Sequence, residues 1–157
     1  MKHFVDEIDI KIMNLLIKNG RMPYADIAKE VGMKSPSVIE RIKKMEQENI
    51  IKKYSVEINY KALGYDITAF IGISIDNTEN ITFFEKELQN VSDDIVECHH
   101  VTGEFTMIIK AITHNTASLS ALIKKIRNIK GVQKTNTILV FSTILDQQRV
   151  IDEIITE

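Results

Sequence analysis

At 157 residues, 44% of them hydrophobic and with a formal net charge of −2, the chain has the length of about one domain; a second must be argued from pattern. No uncharged stretch is long enough to span a bilayer, and no apolar run follows a basic start, so no membrane partner and a cytoplasmic location are expected. The single cysteine, Cys98, excludes an internal disulfide framework and suits a reducing compartment.

The charge is unevenly spread. From Met1 to Lys53 eleven Lys/Arg stand against eight Asp/Glu, whereas from Tyr54 to Glu157 nine stand against fourteen. The cations concentrate at the end of the first part, at Lys34, Arg41, Lys43, Lys44, Lys52 and Lys53. Such a local cluster attracts a phosphate backbone whatever the charge of the whole chain.

In chain order, Asp6 is placed as the N-cap of a first helix, with Asp9 favouring the helix dipole. Ile8, Ile12, Leu15 and Leu16 then recur at helical spacing up to "NGR", where Gly20 reads as a left-handed stop. Pro23 permits a new first turn. Tyr24, Ile27, Ala28 and Val31 form the apolar stripe of a short second helix that Gly32 closes. A third helix opens three residues later, with Ser35 as N-cap and Pro36 at the first helical position. Two helices joined so closely cannot run side by side as a long hairpin; they cross steeply, as in a helix-turn-helix.

Val38, Ile42 and Met45 take the core side of this third helix, which leaves Ser37, Glu40, Arg41 and Lys44 outward. The small hydroxyls of Ser35 and Ser37 let the backbone approach a groove, and Arg41 can reach a guanine edge or a phosphate. Lys34, Lys43 and Lys44 add charge, so these six residues are the predicted contacts to double-stranded DNA. Glu40 reads as solvated or paired with Lys44 across one turn. Asn49 tolerates the left-handed turn that ends the helix, and "IIKKYSVEI" reads as a strand.

After Gly64 the period changes. Ile67, Ala69, Ile71, Ile73 and Ile75 alternate as a half-buried strand requires. A helix from about Asn80 to Gln89 follows, with Ile81, Phe84 and Leu88 on one side. "IVECHHV" and "FTMIIKA" are two strands hinged at Thr102-Gly103-Glu104, close enough for a hairpin. Leu119, Leu122, Ile123 and Ile126 define a further helix stopped by Gly131, "VQKTNTILVF" a last strand, and "TILDQQRVIDEII" a terminal helix. The order βαββαβ is the split ferredoxin-like arrangement. Its helices cover one sheet face, and the other carries Phe70, Ile108, and Leu139 or Phe141 into water, according to register. Such a face usually meets a partner, so a homodimer is expected, presenting two recognition helices to a near-palindromic site.

These segments together resemble the Lrp/AsnC ("feast/famine") transcription factors. The resemblance is carried by "VDEIDIKIMNLL", "NGR", "IAKEVGMKSPSVIERIKKME" and "NIIKKYSVEINYKALG", then by "ECHHVTGEF" and "GVQKTNTILV". It implies an α+β chain: a winged-type helix-turn-helix over residues 1–50, a linking strand or hinge over 51–63, and a ferredoxin-like ligand-sensing and oligomerisation domain over 64–157. It also implies dimers that associate into octamers or other even assemblies. The expected effector is an amino acid or a related small molecule held between dimers at the C-terminal domain interface, with Val101, Thr102, Gly103, Glu104 and Phe105 as one wall of its pocket and Thr135 and Thr137 as further contacts. Glycine lets a ligand approach the backbone, and turn N–H groups and hydroxyls can bind a carboxylate. Thr106 stands where the family usually carries an aspartate, and a neutral hydroxyl does not hold an ammonium as a carboxylate would. Three readings follow: another molecule is sensed, an amino acid is bound through Glu104 or a neighbour, or nothing is sensed.

Other chemistry has little support. In the strand reading of "ECHH", Cys98 and His100 point one way and His99 the other, two ligands without a third, so no metal site is expected. No phosphate-binding glycine loop, G-x-S-x-G elbow or H-E-x-x-H occurs, and neither an enzyme activity nor a cofactor is expected. The alternatives to a sequence-specific regulator are an architectural protein that bends or wraps DNA with little base preference, and a ligand-binding module or enzyme whose helical part is a lid.

Overall fold

The computed structural model describes residues 5–151. The chain divides into two compact units: residues up to Glu57 together with those from Leu145 onward, and residues Ile58–Ile144. The second entry into the helical unit is a feature that the sequence reading placed wholly in the C-terminal domain.

The helical unit contains α1 (Glu7–Lys18), α2 (Tyr24–Val31) and α3 (Ser35–Gln47). Asp6 caps α1 as expected, and Asp9 does more than complement the dipole. The Asp6 carboxylate accepts from the backbone N–H of Ile8 and of Asp9, while the Asp9 side chain accepts from the Asp6 N–H, closing a reciprocal capping box. Gly20 is not the left-handed stop: α1 ends at Asn19 in extended conformation, and Gly20 has no positive φ. Gly32 does close α2 in the left-handed region at φ 68°, and Asn49 follows α3 at φ 57°. The cap of α3 is Lys34, one residue before the predicted Ser35, and it caps through its extended backbone without a side-chain bond. Ile12, Ile27, Val38, Ile42 and Met45 are completely or almost completely buried and tie the three helices together; full burial of one such side chain contributes about 1.5–3 kcal/mol.

The second unit contains β1 (Ile67–Ile75), α4 (Thr78–Leu88), β2 (Ile95–His100), β3 (Met107–Thr113), α5 (Thr116–Arg127) and β4 (Val132–Leu139), in a four-stranded antiparallel sheet of order β2-β3-β1-β4. This is the predicted βαββαβ topology. Ala69, Ile71 and Ile73 of β1 and Met107, Ile109 and Ala111 of β3 point to one face, where Phe84 of α4 and Leu119, Leu122 and Ile126 of α5 cover them. Helix α5 ends at Arg127 with Asn128 as its cap, so Gly131 does not stop it. Gly131 lies in the turn to β4 at φ 90°, and a Cβ there would come within 2.3 Å of Asn80 Cβ. It is a glycine of close approach as well as of backbone freedom.

Two predicted elements differ. The segment read as a strand from Ile50 to Ile58 forms no ladder, and a 3-10 turn over Tyr60–Leu63 follows it. Its alternating Tyr54, Val56 and Ile58 remain exposed, because a strand needs a neighbour and the single chain supplies none. The predicted terminal helix is absent from its described part, Thr143–Ile151; the remainder lies outside the described residues. Among the described residues no helix is long and apolar enough to cross a membrane.

Candidate functional site

Helix α3 carries the residues predicted to touch DNA. At 100° per residue, the direction opposite Val38, Ile42 and Met45 falls near Pro36, Glu40, Lys43 and Gln47, and these four are exposed together with Lys34 and Lys44. Ser35 and Ser37 are half-buried. Lys44 Nζ lies 3.2 Å from Glu40 Oε1, the one-turn pairing anticipated for that glutamate. Gln47, an exposed amide with donor and acceptor on the same face, was missed by the sequence reading; helical phase alone would have included it.

Arg41 is different. It stands only about 60° from the core direction, and its side chain is 24% exposed. Its Nη1 donates to Asp6 Oδ2 at 2.8 Å and to Asp9 Oδ1 at 2.9 Å, and the Asp9 side chain is wholly buried. The residue predicted to probe DNA is therefore a brace that locks α3 to the capping box of α1. The hydrogen bond to Asp9 raises the guanidinium's pKa although burial opposes it. Burial acts against the charged form of Asp6, but the Asp9 N–H and Arg41 outweigh it and hold its carboxyl below the ordinary value. A carboxyl depressed by folding stabilises at neutral pH, and that contribution is lost as pH falls through the lowered folded value.

The predicted effector residues fall into two sets. Residues Val101–Thr106 connect β2 to β3, with Gly103 at φ 117°. Thr106 is part of the sheet framework: its N–H donates to the Ile73 carbonyl at 2.8 Å, and its Oγ1 accepts from the Ile75 N–H at 3.0 Å. The hydroxyl thus satisfies a strand-end donor that β3 no longer reaches. Glu104 Oε1 lies 3.2 Å from Lys134 Nζ, so the carboxylate nearest the turn already faces a cation. The Phe105 ring lies on Gly72, where a Cβ would come within 2.6–2.7 Å of its carbons. Gly72 pairs with Ile108 and Asn136 and therefore faces away from the helices.

Thr135 and Thr137 pair with Ile73 and Ile71, whose side chains enter the helix-covered core. They thus lie on the opposite face from Phe105, and Thr135 Oγ1 accepts from Arg127 Nε at 2.7 Å. Within one chain, the turn and the two threonines do not converge on one surface. Gly72→Ala is expected to swing the Phe105 ring aside and to cost about 1–3 kcal/mol, as overpacking does. Urea unfolding, with amide exchange of residues 101–106 read in parallel, checks this.

Register also settles the bare sheet face. Phe70 pairs with Ile138 and Lys110, and Gly72 with Ile108, so Phe70, Ile108 and Ile138 share that face. Leu139 pairs with Ala69 and belongs to the other, while Phe141 lies beyond the end of β4 and is fully exposed. Glu97 accepts from Lys110 Nζ at 3.1 Å and lies 3.2 Å from His99 Nε2. The hydrogen bonds from His99 and Lys110 lower its pKa. Burial raises the thiol pKa of Cys98, the opposite of what a reactive thiolate needs. Among the described residues no three His, Cys, Asp or Glu side chains are grouped to hold a metal ion.

Two helices joined by the short Gly32–Lys34 link and followed by a βαββαβ domain define a two-part protein of helix-turn-helix type, and comparison with known proteins identifies the class. The AsnC-type helix-turn-helix domain matches residues 5–46 and the Lrp/AsnC ligand binding domain residues 68–150. The regulatory protein AsnC of Haemophilus influenzae is 37% identical over 138 residues, which cover 87% of this chain and 91% of that protein. The structure of AsnC from Escherichia coli superposes with a TM-score of 0.87 at 29% identity, covering 95% of this chain and all of that one. A feast or famine regulatory protein from M. tuberculosis, solved in complex with L-methionine, shares the fold at a TM-score of 0.87 and 23% identity, covering 94% of this chain and all of its own. The chain belongs to the Lrp/AsnC family of transcriptional regulators.

Proposed function

We propose that the protein binds DNA sequence-specifically through the exposed face of α3, within a DNA-binding domain spanning residues 1–50. The observation that carries this reading is that Lys34, Lys43 and Lys44 are exposed on a helix whose opposite side, Val38, Ile42 and Met45, is buried. The fixed core gives the helix one orientation, and the cations lie where a groove would meet them. Ser35 and Ser37 serve as close-approach positions at its start, and Arg41 acts chiefly by holding the helix in place. Fluorescence anisotropy against a library of duplexes tests this: a selected duplex should bind saturably and at least tenfold more tightly than random DNA. Equal affinity for all sequences would instead identify an architectural protein.

The domain spanning residues 64–157 is proposed to sense a small molecule and to assemble the chain. Phe70, Ile108 and Ile138 form an apolar, helix-free sheet face suited to a second copy, giving a dimer and, from dimers, an octamer. The L-methionine of the mycobacterial relative supports an amino acid or related molecule as effector. Its site would be completed between subunits, because one chain separates the Val101–Thr106 turn from Thr135 and Thr137. Thr106, already bound to the Ile75 N–H, supplies no carboxylate for an ammonium; Glu104 is the carboxylate within reach. A thermal-shift screen of the twenty amino acids is the direct test, since a ligand bound only by the folded assembly raises its Tm, by about 2.7 kcal/mol of added stability at a hundredfold excess over Kd. A flat screen removes amino acids from the proposal. The site is a binding site for DNA and effector with no catalytic role, and the place of action is the cytoplasm.

A further inference from the structure

The chain enters the helical unit twice, first as the helix-turn-helix itself and again at Leu145, after β4. The described part of the returning segment, residues 145–151, has no regular secondary structure, yet Ile151 is held at two points by a single side chain. Asn14 Nδ2 donates to the Ile151 carbonyl at 2.8 Å, and the Ile151 N–H donates to Asn14 Oδ1 at 2.9 Å. A carboxamide presents a donor and an acceptor side by side, as a peptide group does. Pairing both with the N–H and C=O of one residue reproduces a rung of an antiparallel ladder. Such a grip recognises backbone position and not residue type.

Hydrophobicity alone does not account for the attachment. Leu145 and Val150 of the same segment stay exposed, whereas Ile151, the residue that Asn14 grips, packs against the helical core. Asn14 is also a weak helix former in the middle of α1, so its local cost is offset by a contact 137 residues away in sequence. A cavity of about 330 Å³ adjoins the attachment. Met13 and Ile17 of α1 form one side, Gln148 and Ile151 another, and Ile51 and Tyr54, on the stretch leaving α3, the third.

We propose that residues 145–151 are a detachable strap. Gripped by Asn14, the strap gives the helix-turn-helix a second attachment to the chain that leaves β4 and lines part of the cavity beside the exit from α3. Released, residues 145–151 no longer tie α1 to the chain that leaves β4. The grip stands on its own geometry. Its use as a regulatory link rests on the DNA-binding reading above: a rearrangement that pulls on β4 reaches α1 through the strap, and a less restrained helix-turn-helix loses more orientational freedom on binding DNA.

The test uses the full chain, with Asn14→Ala and Ile151→Pro. The second variant removes the N–H that Asn14 accepts while lying outside every helix, so it keeps the question answerable if the first one unfolds α1. In hydrogen exchange read by mass spectrometry, peptides covering 146–151 should exchange at least about tenfold faster in both variants, as loss of one or two net hydrogen bonds implies, with α4 and α5 unchanged. Trypsin should cut after Arg149 correspondingly faster. In anisotropy with duplex DNA the variants should bind about threefold to tenfold more weakly. If wild-type residues 146–151 already exchange as fast as in the variants, the grip is overturned. If the grip is lost and DNA affinity does not move, the regulatory link is overturned. A wild-type chain that binds no duplex refutes the DNA-binding reading and with it the link, while exchange still decides the grip.

Discussion

Arg41→Ala is expected to destabilise the helical unit by about 3 kcal/mol, through loss of the two charge-assisted hydrogen bonds that Arg41 donates to Asp6 and to the buried Asp9. Asp9, wholly buried, is deprived of its 2.9 Å hydrogen bond from Nη1, and Asp6 of its own at 2.8 Å. Urea unfolding followed by helical circular dichroism measures the loss. A double-mutant cycle with Asp9→Asn should return a coupling well above the ~1 kcal/mol of an exposed ion pair. DNA affinity should fall through the folded fraction, and it should recover under conditions that refold the variant. A variant as stable as the parent that nevertheless binds DNA poorly would restore Arg41 to the role of a direct contact.

The complementary variant removes charge without touching the brace. With Lys34, Lys43 and Lys44 all changed to alanine, affinity for duplex DNA should fall at least roughly tenfold at low salt. The slope of log K against log salt should become shallower by about 3, near 0.9 for each phosphate that is no longer neutralised. All three side chains are exposed, and only the Lys44–Glu40 pair, itself exposed, is broken. Stability should therefore change by no more than about 0.5 kcal/mol. An unchanged salt slope would move the DNA-contacting surface off α3. The two variants separate the jobs proposed for α3: Arg41 setting where the helix lies, and the lysines setting how strongly it meets phosphate.

Much of this architecture was legible in the residues because it depends on local chemistry. Asp6 as N-cap, Gly32 and Asn49 in the left-handed region, and the buried Val38, Ile42 and Met45 all follow from short-range rules. So does the hairpin around Gly103 in the second unit. The errors have a common origin. The sequence points Arg41 outward, although helical phase leaves it beside the core, because the carboxylates that capture it lie more than thirty residues away. Gly20 and Gly131 were read as helix stops, but one is not left-handed and the other makes room for Asn80. The 50–58 segment has a strand's alternation without a neighbour to pair with.

Element types, the βαββαβ order and the basic character of the third helix are readable from the residues alone, since periodicity, capping and charge are properties of residues close together in the chain. Long-range packing sets the rest: Arg41 braces α1, Phe105 rests on Gly72, Thr135 and Thr137 lie on the sheet face opposite Phe105, and Asn14 holds Ile151. Each of these joins side chains far apart in sequence or depends on strand register, where a shift of one residue exchanges the two faces.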